Sequence, residues 1–287
     1  MTAIGVARSP GTGVVTLSPR IQLADRLALL ALVLAAVAGA AGLIALDLYR
    51  DTADGIRQAR ATDLVTLLVA VPALAIGLWR AHSGSAGGRL VAIAALGYLA
   101  YSYAIYAFSV VINPLTPVHI AILGLATWSL VLSAFDLDDR TIASAARFRF
   151  ARRVTGGFLI VVAALFAMLW LSQIASAITS GVLPASLLDV NLPTSPVFSL
   201  DLAFALPLIT LAAVWLIRRD RRGPASAAAS LAFLVILGLS VLAIFAFQAV
   251  AGIGVALVPI VAFGLVTAIA AILLGLALTG SPRGTAS

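Results

Sequence analysis

Eight stretches of this chain are each apolar over about the length of a membrane span. They run approximately Leu27–Leu46, Leu64–Trp79, Leu90–Ile112, Val118–Phe135, Thr155–Ile178, Leu202–Ile217, Ala227–Phe247 and Ile253–Leu278. A bilayer core about 30 Å thick needs about 20 apolar residues per helix. Within it, only structures that satisfy all their backbone groups internally persist. The expected fold class is therefore all-α: a polytopic transmembrane helix bundle of about eight spans. Composition closes off the soluble alternative. Charged residues make up 10% of the 287 and hydrophobic ones 62%, whereas a water-facing domain carries roughly 25% charged residues. The second and sixth runs are short and contain Pro72 and Pro207; neighbouring helices can satisfy the backbone groups these prolines free.

All 18 basic residues are arginine and all 11 acidic residues are aspartate. With the N-terminus in the cytoplasm, 15 arginines fall on the inner side and three, Arg50, Arg57 and Arg60, on the outer side. The positive-inside rule then places both termini in the cytoplasm, in a plasma (inner) membrane. The formal charge of +7 is explained by this topology and calls for no nucleic acid. Anionic lipid headgroups are the expected partners of the inner arginines. Richness in Ala and Arg suggests a GC-rich bacterial genome. Arg20 and Arg26 before an apolar run, with the small residues Ala38-Gly39-Ala40, resemble a signal peptide. The run continues to Leu46, longer than a typical signal core, so an uncleaved first span is expected.

The expected organisation is a cytoplasmic tail over 1–26, a first four-helix unit over 27–135, a cytoplasmic linker over 136–153, a second four-helix unit over 154–279 and a tail over 280–287. The two units read as a parallel tandem repeat. Asp63-Leu64 matches Asp201-Leu202 and Arg80 matches Arg218, both 138 residues apart, with Trp79 and Trp215 near the same ends. "YAIYAFS" at 103–109 also resembles "LAIFAFQ" at 242–248. Four spans per unit give both copies one orientation, about an axis along the membrane normal. In the linker, "DLDDRTIASAARFRFARR" lacks the glycine and glutamate of a calcium loop. It reads instead as an amphipathic helix lying on the bilayer through Phe148 and Phe150.

Two readings fit Asp63 and Asp201. Each stands at the outer start of a helix running inward, where aspartate caps free N–H groups and faces the positive end of the dipole. Alternatively, they form a carboxylate pair facing one another across an outward cleft, since ionisable groups in spans are functional candidates. Tyr98, Ser102, Tyr106 and Ser109 share one face of the third span, which must look into the bundle or a cavity. That face suits interhelical hydrogen bonds or a ligand pocket. His119, at the outer start of the fourth span, is either interfacial or a proton-handling partner of the aspartates. His82 reads as solvated. The candidate ligand-binding residues are thus Asp63, Asp201, Tyr98, Ser102, Tyr106 and His119.

Several chemistries are excluded or disfavoured. Without cysteine there is no thiol catalysis, and without lysine no Schiff base. With neither Cys nor Glu and with two histidines, no metal site is expected. No cofactor or catalytic motif is apparent. The runs "DLVTLLVAVPALAIGLW", "GYLAYSYAIYAFSVVINPL" and "LDLAFALPLITLAAVWL" resemble those of a group of prokaryotic multi-span membrane proteins without an assigned activity. That resemblance implies a helix bundle and no particular chemistry. The leading expectation is a transporter or small-ligand binder with an outward-facing polar site between the units. Alternatives are a membrane enzyme or redox partner acting on a lipid or quinone, and a sensor or scaffold.

Overall fold

The computed structural model describes residues 19–135, 145 and 150–279. The tails, and the linker segments 136–144 and 146–149 with the expected amphipathic helix, lie outside the described residues. Among the described residues there is no strand, and eight helices are long and apolar enough to cross a membrane. They are α1 (Pro19–Ile44), α2 (Ala53–His82), α3 (Ala86–Ser109), α4 (Thr116–Phe135), α5 (Arg152–Ser180), α6 (Pro196–Ile217), α7 (Gly223–Val250) and α8 (Leu257–Thr279). The chain is a multi-span α-helical membrane protein.

Several helices extend well beyond their apolar runs, which corrects the expected boundaries. α2 starts at Ala53 rather than near Leu64, so most of the charged segment 48–60 is helix continuous with the span. The hydroxyl of Thr52 accepts from Gly55 N–H at 3.2 Å, and Asp54 stands in the first turn. Cap and dipole therefore favour helix where hydropathy does not. α6 begins at Pro196, capped by Ser195, which accepts from Phe198 N–H. Ser85 caps α3 in the same way.

α2 and α6 each contain one wide turn, at Thr66–Ala70 and Asp201–Ala205. The amide of Val71 reaches back to the Thr66 carbonyl, and that of Leu206 to the Asp201 carbonyl. The next residue is proline in both cases, Pro72 and Pro207. Proline removes one N–H and crowds the preceding turn. A five-residue bond just before it accommodates that within a continuous helix. The two turns and the two prolines are 135 residues apart. That spacing sets Asp201 level with Thr66, while Asp63 lies three residues before its own wide turn.

In the first half α1 packs on α2 and α4, and α3 on α2 and α4, closing a four-helix ring. Ala24, Ala28, Ala31, Ala35 and Ala38 of α1 are buried. Such small residues let helices approach closely where lipid offers no hydrophobic drive to associate. In the second half α6 packs on α5 and α7, and α7 on α8. α7 also packs on α2 and α3 of the first half, so it joins the two. At the end bearing the α2–α3 and α6–α7 turns, Arg89 of α3 binds Asp25 of α1 through both carboxylate oxygens. His82 Nε2 approaches the same carboxylate at 3.5 Å, so His82 is tied to the bundle, although half-exposed.

Candidate functional site

A cavity of about 480 Å³ lies between the halves. α2 and α3 form one wall; α5, α6, α7 and α8 form the other. Its mouth, at the end of the α1–α2 and α5–α6 connections, presents Asp51, Asp54, Gln58, Asp189 and Gln248. Two contacts bridge the halves there. Gln248 Nε2 donates to both oxygens of Asp54 at 3.0 and 3.2 Å, and the Thr52 hydroxyl donates to the Asp189 carbonyl at 2.8 Å. Below, the walls turn apolar with Val162, Ile209, Phe233, Leu234 and Val266.

Between mouth and depth sits Asp201, 7% exposed and part of the wall. The Tyr101 hydroxyl of α3 donates to its Oδ1 at 2.9 Å, and Trp170 Nε1 of α5 donates to its Oδ2 at 2.7 Å. Tyr101 stands eight residues from the end of α3, about 12 Å along the axis. Three helices therefore converge on one carboxylate inside the span. The surrounding rings interlock. Trp170 lies 5.1 Å from Phe198 and 6.0 Å from Phe166, and Tyr101 meets Phe233 edge-on at 5.9 Å.

Asp63 occupies a separate polar cluster inside the first half. It is 1% exposed and does not line the cavity. The Tyr49 hydroxyl donates to its Oδ2 at 2.6 Å, and the Tyr106 hydroxyl to its Oδ1 at 2.8 Å. Burial first, and the Asp63 charge second, push the Tyr49 phenol above its ordinary range, so it remains a donor. Gly42 makes the room: a Cβ there would collide with the Asp63 carboxylate and lie 2.6 Å from the Tyr49 hydroxyl.

The six residues picked from sequence therefore divide. Asp201, Ser102 and Tyr106 line the cavity; Asp63, Tyr98 and His119 do not. Tyr106 joins the two sites, touching the cavity while it binds Asp63. Tyr98 is fully buried and spends its hydroxyl on Thr66 and Ser240, each at 3.3 Å. That is the interhelical bonding expected of the polar face, while Ser102, Tyr106 and Ser109 supply the cavity-facing part of it. His119 is enclosed by the bundle. It is 1% exposed, against the rings of Tyr106 at 4.8 Å and Tyr103 at 5.7 Å, and neither ring nitrogen has a hydrogen-bond partner among the described residues.

Neither aspartate is a helix cap. Thr52 and Ser195 hold those positions, and both carboxylates accept from aromatic side chains instead. Nor do the two converge on one cleft. The sequence reading missed Tyr49, Tyr101 and Trp170. Four of the chain's five tyrosines lie on α3, which was the available signal for Tyr101. Among the described residues no group of three His, Asp, Glu or Cys side chains gathers as a metal site.

The fold and site define a helical membrane protein with one buried carboxylate on the wall of an inter-half cavity. No family model matches the chain, and neither does any curated protein or solved structure.

Proposed function

We propose that the protein binds a small molecule in the cavity between its halves and acts as a transporter or receptor for it. The observation that carries this reading is the cavity itself: about 480 Å³, walled by both halves, with polar groups at the mouth and at Asp201. Ligand sites in proteins are mostly apolar concavities of about this volume with a few placed polar groups. The arginine distribution supports cytoplasmic termini in a plasma membrane and a mouth facing outward. The shared wide turn and proline of α2 and α6 support a tandem origin for the halves. Arg222 stacks over Trp215 at 4.4 Å, and its nearness in sequence to Arg218 and Arg219 supports contact with anionic headgroups at that end.

The test is native mass spectrometry of the protein released from its own membrane. A small-molecule adduct is expected on the native protein. It should be lost from Ala205→Trp, which puts an indole into the cavity beside Asp201. An adduct-free native protein, or an adduct that survives the substitution, counts against the reading.

A further inference from the structure

Asp201 is a buried carboxylate that lacks a positive partner of its own. Both oxygens accept, from Tyr101 and Trp170, and both donors are neutral. Among the described residues no arginine lies within ion-pair distance of it. Buried charges in proteins are otherwise paired. The imbalance extends to the whole cavity. The chain has 18 arginines against 11 aspartates, yet among the described residues four aspartates and no arginine line this space. Of the three at the mouth, Asp54 has Arg57 at 3.9 Å, outside the lining. Five aromatic rings also line the cavity, Tyr101, Phe166, Trp170, Phe233 and Phe263, and two of them, Tyr101 and Trp170, touch Asp201. The face of an aromatic ring is negative and attracts an organic cation, more strongly once water is excluded.

Resting on the reading of the cavity as a ligand site, we propose that its ligand is a lipophilic organic cation: an ammonium or phosphonium centre held by Asp201 among these rings, with an apolar body in the depth of the cavity. A hard inorganic cation would need about six oxygen ligands, and the rings around Asp201 cannot supply them. An anion would meet four carboxylates and, among the described residues, no base in the lining. The ligand supplies the counter-charge that the described lining lacks, and the apolar walls set its body.

The experiment measures binding by isothermal titration to the purified full chain in lipid nanodiscs. Three probes of similar bulk are used: tetraphenylphosphonium, tetraphenylborate and the neutral triphenylphosphine oxide. Empty nanodiscs correct for partition into lipid. The cation is expected to bind at least about tenfold more tightly than the neutral probe, and the anion not at all. Asp201→Asn should remove most of that preference and leave the neutral probe's affinity unchanged. Trp170→Leu keeps the carboxylate and should weaken the cation several-fold. If Asp201→Asn does not fold, the native preference and Trp170→Leu still decide. Equal binding of cation and neutral probe overturns the cationic class while leaving a ligand cavity in place. Failure of all three to bind overturns the cation proposal and counts against the cavity reading as well.

Discussion

Tyr101 and Asp201 tie the two halves of the bundle together at depth, the α3 hydroxyl donating to the α6 carboxylate across 2.9 Å. This bond is unlike the contacts at the mouth, because it is buried, whereas the Gln248–Asp54 contact is half-buried and the Thr52–Asp189 contact exposed. Tyr101→Phe keeps the ring against Phe233 and removes only the donor. Hydrogen bonds within membrane proteins contribute about 0.6 kcal/mol on average and up to about 1.7. The upper part of that range is expected here, read as a lower unfolding temperature in detergent. An unchanged temperature would mean that the bond does not hold the halves together.

The separation of Asp63 from Asp201 gives a sharper expectation. Were the two a functional pair, Asp63→Asn and Asp201→Asn would disturb cavity binding alike. Asp63 is instead enclosed by Tyr49, Tyr106 and α1. Asp63→Asn should leave the affinity of a cationic cavity ligand within about twofold, whereas Asp201→Asn should weaken it by about tenfold. Titration of one ligand into both variants checks this.

Gly42 makes a related structural point. A methyl group there would overlap the carboxylate that Tyr49 and Tyr106 hold. Overpacking of a tight core costs typically about 1–3 kcal/mol. Gly42→Ala should therefore destabilise the protein by that order in thermal unfolding, and Gly264→Ala, with open space around its Cβ, should not.

The sequence displays the spans openly because hydrophobic length is the quantity the bilayer selects. It hides their ends because helix formation obeys a different rule. Ala53 to Thr62 is polar and yet helical, since Thr52 caps it and α7 packs against it. That early start moves Asp63 from a helix terminus to a helix interior and removes the capping role its position suggested. Asp201 is displaced by the short turn from Pro196 in the same way. Trp170 was illegible for another reason. A tryptophan in an apolar run reads as lipid-facing, and its partner lies 31 residues away. Tyr101 adjoins Ser102 but points about 100° round the helix, off the polar face that the spacing of Tyr98, Ser102 and Tyr106 defines.

At the opposite end of the bundle, Asp25 and Arg89 form an ion pair whose side chains are 6% and 12% exposed. Asp25→Ala would leave the guanidinium enclosed without its partner. Breaking a buried pair in this way costs about 3–5 kcal/mol, while replacing both members by apolar residues is often neutral or stabilising. Asp25→Leu combined with Arg89→Met should therefore recover most of the loss seen for Asp25→Ala alone. Thermal unfolding of these two variants, together with Arg89→Met alone, closes the comparison.

The orientation of the bundle can be read chemically, because the chain contains no cysteine and a single introduced thiol reports its own side. Ser83 lies in the exposed turn between α2 and α3, and Ala251 is exposed just past the end of α7. Helix alternation puts them at opposite ends of the bundle. The arginine excess at the Ser83 end means that moving that end outward would carry guanidinium groups across the membrane against the bias of insertion. A membrane-impermeant maleimide applied to intact cells should then label Ala251→Cys, and Ser83→Cys only after permeabilisation. The reverse pattern would put the cavity mouth in the cytoplasm, with the same walls and the same Asp201 but a ligand drawn from inside the cell.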